Sequence, residues 1–344
     1  MGDDDQAPGW DAIDSVLKPL YGAQKPKHWA AAPHWALGGR NPLDGVSAYE
    51  ASNPPHWHFV SYGMSDLYQK ETDDPEVSGW GFEFTLRLKR LGEAEPPIWA
   101  VDFLNNLGRY VFQSANSFDV GHHMDLNGPI ALGSDTAIRA ITFARDVQLG
   151  AIATPHGRVT FLQVVGLTID EYDAVQTWDA EKFLGTILKR DPILLTDLRR
   201  PTWLADASFA REVDEGRRRD GSSQSVAFVG KAEWEARDDA RVVLGAKAVH
   251  SLLRVLPWRL PFGRPLAISG SRQTIRLVPG ESSTWRAEPE VLIVTLAPDA
   301  CRCLCDSLVA RRGLYRWDEL PGLQIEVVPS EIKDPEGKVM DVIG

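Results

Sequence analysis

The chain has 344 residues, 43% of them hydrophobic, and a formal net charge of −11. That length and apolar content fill two ordinary domain cores, and the acidic balance excludes the clustered Lys and Arg excess that a nucleic-acid surface needs. No apolar run reaches the roughly 18 residues of a membrane span, and the start Met1-Gly2-Asp3-Asp4-Asp5 is the opposite of a basic signal-peptide head, so a cytoplasmic location is expected.

Residues 1–9, acidic and bearing Gly and Pro, are expected to be disordered. Trp10 to Tyr21 spaces Ile13, Val16, Leu17 and Leu20 at helical intervals, with Pro19 marking the end of a short helix. Residues 36–46 are punctuated by Gly and Pro and read as turns. Two strands follow. The first runs from His56 to Gly63; the second, Ser78 to Arg90, alternates so that Phe82, Phe84, Leu86 and Leu88 face a core while Glu83, Thr85, Arg87 and Lys89 face water. Asp73-Asp74-Pro75 supplies the turn between them.

After Pro96-Pro97, a 3.6-residue rhythm of Val101, Phe103, Leu104, Leu107, Val111 and Phe112 predicts an amphipathic helix from Trp99 to Gln113, lying on the apolar sheet face. Short strands are expected at Phe118–Leu126 and Ile138–Phe143. A tight turn follows at Thr154-Pro155-His156-Gly157, then a strand buried on both faces from Val159 to Leu167. Helices over Glu171–Thr177 and Ala180–Lys189 and a strand over Ile193–Leu198 complete a first domain spanning 10–205.

Residues 206–240 lack apolar periodicity and read as a polar linker, with Arg217-Arg218-Arg219 as a solvated run. A second domain over 241–330 begins with a helix at Ala246–Leu256. Strands at Pro265–Ile268, Thr274–Val278, Val291–Leu296 and Leu323–Val328 follow, with a helix after Pro298 that carries all three cysteines. Residues 331–344 read as a loose tail. Strands broken by helices without βα alternation define an α+β class: two mixed domains, each a mostly antiparallel sheet packed with helices.

Chemistry-bearing constellations are sparse. Cys301, Cys303 and Cys305 cannot share one ion from a helix, so they are expected as buried or half-buried thiols rather than zinc ligands. His56 and His58 share a strand face and, with His122 and His123, form the one set from which a metal-dependent enzyme could be built. The competing reading is structural or partner-facing histidines. Neither the serine-elbow Gly-x-Ser-x-Gly nor a nucleotide-binding glycine loop occurs, so no cofactor is expected. Trp99 and Trp178 read as core fillers, whereas Trp29, Trp35, Trp57 and Trp80, beside prolines and glycines, are core or partner anchors.

The word pair HWHFVSYGMSDLY (56–68) and SGWGFEFTLRLKR (78–90), followed in order by PPIW (96–99), RYVFQS (109–114), TPHGRVTFLQVVG (154–166) and LLTDLRR (194–200), resembles the N-terminal domain of the Suppressor of fused family. That resemblance implies a two-domain, non-enzymatic binder. The family's animal members are cytoplasmic regulators that hold a partner peptide as an added strand in a cleft between the domains. It points to Phe118–His123 and Arg264–Val278 as candidate edges, and to Tyr110, Phe118, His122, His123, Arg145 and Asp146 as partner-binding residues. His122 and Arg145 stand where the family carries acidic residues, which implies a different guest. A serine-rich insertion found in animal members is absent. The compact form is similar to the bacterial branch, for which immunity against polymorphic toxins has been proposed; a regulatory scaffold is the other binding role implied. The partner is a protein or peptide, with neither nucleic acid nor membrane expected.

Overall fold

The computed structural model describes residues 6–33, 35, 38–333 and 339–344. It divides into two compact units, one of Met1–Tyr172 with Ala180–Ala210, the other of Asp173–Asp179 with Arg211–Gly344. The first carries α1 (Pro8–Tyr21), β1 (Lys27–Ala30), β2 (Gly45–Ser52), β3 (Pro55–Tyr62), β4 (Val77–Lys89), α2 (Ile98–Ser114), β5 (His123–Asp125), β6 (Ile138–Arg145), β7 (Ala151–Thr154) and β8 (Gly157–Thr168). Next come α3 (Ile169–Thr177), which crosses into the second unit, and α4 (Ala180–Leu188). The strands form one sheet in the order β1-β2-β3-β4-β8-β6-β5, with β7 paired to β8. All pairings are antiparallel except β4 with β8.

The expected hairpin is present: β3 and β4 pair antiparallel from His56 opposite Lys89 to Val60 opposite Thr85. Gly79 takes φ +56°, and a Cβ there would come within 2.5 Å of the Met64 carbonyl, so only glycine fits where β4 breaks register before Phe82. Helix α2 starts after Pro97, which suits a first turn, and ends at Ala115 in the left-handed region, whose N–H bonds back to the Val111 carbonyl. Its Ala100, Val101, Leu104, Leu107 and Val111 pack with Phe59, Phe82, Phe84, Leu86 and Leu88 into one core.

The opposite sheet face departs from expectation. Glu83, Thr85 and Arg87 are each 0% exposed, and of the alternating polar set only Lys89 reaches solvent. The cover comes from far along the sequence: α1 lays Ile13 and Leu17 over Val60, Tyr62 and Phe161. The segment expected as a strand at 193–198 is reduced to one bridge, Leu88 with Thr196, whose backbone bonds to Arg87 and Lys89 close that end. The strand expected over 118–126 shortens to β5. Of residues 1–9, those numbered 1–5 lie outside the described residues, and Pro8 and Gly9 are helical rather than disordered.

The second unit contains the rest, apart from residues 206–210, which belong to the first. Residues 206–240 are not a bare linker: they hold α5 (Ala207–Asp220), β9 (Val226–Phe228) and β10 (Ala232–Ala236). Helix α5 was hidden because the apolar side chains it buries are Phe209 and Val213 amid charges, with Gly216 beside them. Then follow β11 (Ala240–Gly245), α6 (Ala246–Val255), β12 (Leu266–Ser269), β13 (Thr274–Pro279), β14 (Thr284–Glu288), β15 (Val291–Leu296), α7 (Pro298–Ser307), β16 (Gly313–Arg316), β17 (Leu323–Val328), β18 (Ser330–Lys333) and β19 (Val339–Ile343). Two sheets, β10-β11-β17-β16 and β14-β15-β13-β12-β9, share one core with α6 and α7. The described part of the tail pairs as a β18–β19 hairpin rather than running loose. Cys301 is buried in α7 and Cys303 and Cys305 half-buried, all three as free thiols.

Candidate partner-binding edge

Strand β5 ends the first unit's sheet. It pairs with β6 through His123–Thr142, Met124–Ile141 and Asp125–Ala140, and no strand among the described residues pairs with its other side. The chain reaches it through Gly121, at φ +82°, whose N–H bonds to the Phe143 carbonyl at 2.8 Å while the Phe143 N–H returns to the His122 carbonyl at 2.9 Å. An aromatic ladder stands beside this edge. Phe118, 9% exposed, stacks on Phe143 of β6 at 4.3 Å, and Tyr110 of α2, 40% exposed, stacks on Phe118 at 5.4 Å. The ladder anchors a surface tyrosine on the core, so its ring is held in place.

The structure thus brings Tyr110, Phe118, His122 and His123 to one region of the unit. His122 is exposed, and its Nδ1 accepts the Asp119 N–H at 3.2 Å. His123 packs edge-on to Tyr172 at 5.3 Å, and burial, helped by the neighbouring His122, holds its pKa down to about 4. It is a neutral ring at physiological pH. Arg145 lies exposed at the last position of β6, opposite Leu162.

Asp146 is not a surface residue. At 2% exposure it accepts bonds from Arg87 at 2.5 and 3.0 Å, from the Thr85 hydroxyl at 2.7 Å, and from the Gln148 and Leu149 N–H groups at 2.9 Å each. Burial opposes its ionisation, but His58 and then the Arg87 guanidinium hold the carboxyl well below the usual range. Its expected partner contact is therefore replaced by a place inside the fold. The edge expected at 264–278 is likewise corrected: β12 lies between β9 and β13, and β13 between β12 and β15, so the open strand there is β9, with Phe228 84% exposed.

The histidines of the metal alternative do not gather. The Tyr21 hydroxyl lies 2.7 Å from His58 Nδ1, and His58 Nε2 faces Asp146 Oδ2 at 3.5 Å, while His56 Nδ1 bonds to the Pro54 carbonyl. Among the described residues no three His, Cys, Asp or Glu side chains are arranged to hold one ion. The buried polar centre of Tyr21, His58, Thr85, Arg87, Asp146 and Gln163 went unforeseen. No sequence signal marked it, because a polar row opposite an apolar one reads equally as the wet face of a strand.

The architecture is that of the Suppressor of fused class of two-unit α+β proteins. The crystal structure of Drosophila Suppressor of Fused superposes with a TM-score of 0.77 over 94% of this chain and 97% of that one, at 21% identity. Residues 39–201 match the family model described as Suppressor of fused protein (SUFU), and the human and mouse Suppressor of fused homologs are each 38% identical over 248 residues, 66% of this chain. Residues 39–201 thus carry the domain of the Suppressor of fused family. The chain spans about half the length of those curated relatives, 50% of each. A chain of the Sufu-Fu complex crystal structure is 28% identical, with a TM-score of 0.56 over 60% of this chain and 98% of that one.

Proposed function

We propose that this chain is a non-enzymatic protein-binding module that takes an extended segment of a partner protein as an added strand on β5. The observation that carries this reading is an open strand edge with a pre-anchored, exposed Tyr110 beside it. Strand addition draws affinity from backbone hydrogen bonds and selectivity from side-chain pockets beside the edge. The family supports the reading, since a relative has been solved in the Sufu-Fu complex. In the second unit β9 offers a corresponding edge with Phe228 exposed.

The finer role is immunity, in which the bound guest is a toxin neutralised by occupation. The second reading is a regulatory scaffold working in the cytoplasm. Capture from extract of the native cell is the test. Tyr110→Ala and His122→Ala are expected to reduce recovery of the partner severalfold while leaving far-UV circular dichroism unchanged. Equal recovery by both variants would show that β5 is the wrong surface, and a captured toxin, as against a signalling protein, separates the two roles.

A further inference from the structure

The sheet β10-β11-β17-β16 has one face in the second unit's core, through Val242, Leu244, Ile325 and Val327. Its other face is open and electrically graded. Across it run Glu235 opposite Arg241, Arg241 opposite Gln324, and Gln324 opposite Arg316; the next row runs from Glu233 through Val243 and Glu326 to Leu314. The β10 side is acidic. The β16 side is basic, because Arg316 at the end of the strand and Arg312 in the bend just before it line one groove with Leu314.

The cations at that end are poorly neutralised. Arg241 pairs with Glu326, but Arg316 binds only the neutral Gln324 side chain, at 2.7 and 3.0 Å, and Arg312 makes no side-chain bond among the described residues. Leu314 between them is 52% exposed. Together they line a groove of about 320 Å³ with Arg241, Gln324 and Glu326. Strand β16 is also a sheet edge, paired only with β17 among the described residues. An arginine-flanked, aliphatic-centred open edge is a template for a complementary strand.

We propose that β16 docks an extended acidic segment of a partner protein, with carboxylates opposite Arg312 and Arg316 and an aliphatic side chain opposite Leu314: acid, any residue, aliphatic, any residue, acid. Guanidinium forks bind carboxylates bidentately, and the side chains directly opposite on a strand pair meet at this spacing. A long polyanion fits less well. The chain's net charge of −11 repels nucleic acid or an anionic membrane at range, while two or three local cations suffice for a short peptide. This surface lies within the second unit and stands independently of the β5 reading.

The test is binding of a labelled synthetic peptide centred on Glu-Thr-Val-Thr-Glu, read by fluorescence anisotropy on the full chain. Wild type is expected to bind it, and Arg312→Glu with Arg316→Glu to weaken binding by about tenfold or more, since two attractions become repulsions. The milder pair Arg312→Gln and Arg316→Gln, which keeps side-chain bulk, is expected to show a smaller loss in the same direction. Raising salt from about 0.05 to about 0.5 M should weaken the wild-type complex. A peptide N-methylated at alternate residues, or one with Lys for Glu, should not bind, and Tyr110→Ala should bind like wild type. Failure of the wild type to bind would overturn the proposal, as would equal binding of the charge-reversed protein, the Lys peptide or the methylated peptide. So would arginine-dependent binding of RNA or anionic vesicles without binding of the peptide.

Discussion

The residues that most constrain this protein are charged ones with no access to water. Arg87 is the largest fully buried side chain, and its guanidinium is shared among Asp146, Gln163 at 2.6 Å and Gln148 at 2.8 Å. Gln163 in turn donates to the Ile193 and Leu194 carbonyls at 2.8 and 2.9 Å, which ties the segment after α4 to the sheet centre. Glu83 is bound as tightly: one carboxylate oxygen accepts the N–H groups of Gly63, Met64 and Ser65 and the Ser65 hydroxyl, the other the Ser61 hydroxyl. A buried ion pair adds little net stability, but removing one partner strands the other. Acid response follows from these sites. Burial, then the Arg87 charge, hold His58 down at about 4, against 6.5 when unfolded. Between those values the unfolded chain binds the extra proton, so this site's stabilisation is whole above pH 6.5 and is lost as pH falls toward 4. Glu83 works oppositely: burial pushes it up to about 7, so its stabilisation is whole below about 4.5 and is lost as pH rises through 7. The difference between wild type and His58→Gln isolates the histidine. In urea titrations at pH 7 and pH 4.5 the wild type should lose more stability than the variant on acidification, by roughly 2 to 3 kcal/mol. Parallel losses would mean that His58 is already charged in the fold.

At the scale of elements, α1 decides which face of the sheet is dry. Its apolar stripe was legible from Ile13, Val16, Leu17 and Leu20, as was the alternation along β4, yet each pattern alone left its partner unstated. A helix stripe needs an apolar or satisfied surface, and the polar row Glu83, Thr85, Arg87 did not read as one. The row's own hydrogen bonds had removed its need for water, a fact set by Ser61 and Gln163 from other strands and by Asp146 just after β6. Central features of high apolar content were read well: β8, α2, β15 and β17 fall where periodicity put them. Short edge strands were not, because β1, β5, β9 and β16 each have four residues or fewer and owe their existence to a neighbour. Of the proposed partner edge, the aromatic words around Tyr110 and Phe118 were readable through resemblance, but Asp146 and Arg145, adjacent in sequence, parted to interior and surface. Helix α1 is seated by Gly9, whose N–H bonds to the Leu67 carbonyl at 2.9 Å. A Cβ on Gly9 would come within 2.2 Å of the Asp66 carbonyl oxygen. Gly9→Ala should therefore lift the helix start and cost about 1 to 3 kcal/mol, despite alanine's better helix propensity. An unchanged urea midpoint would mean that α1 does not rest on the 66–67 backbone.

The molecule as a whole is not cut where its sequence changes character. The seven residues Asp173–Asp179 belong to the second unit although the chain then returns to the first for Ala180–Ala210. Their contacts explain why. Trp178, 4% exposed, gives its indole N–H to Asp220 at 3.0 Å and its carbonyl to the Ser223 N–H at 2.6 Å. Its ring leaves no room beside Gly216, where a Cβ would stand 2.2 Å from the indole. Gln176 accepts from Arg254 at 2.6 Å, and the Ser222 hydroxyl donates to the Gln176 carbonyl. A boundary at 205, which composition suggests, would leave this segment with the wrong fragment. Residues 1–205 expressed alone are thus expected to expose Trp178, which in the full chain is packed among α5 and the 220–223 turn. Tryptophan emission of the fragment, with Trp178→Phe as the control for assignment, should be red-shifted relative to the same residue in the full chain. Proteolysis should cut near 173–179 first, because the backbone bonds that protect it come from residues beyond the cut. A fragment that resists protease there and keeps Trp178 emission blue would show that the segment is held by the first unit's own residues, and that the two units part cleanly at 205 after all.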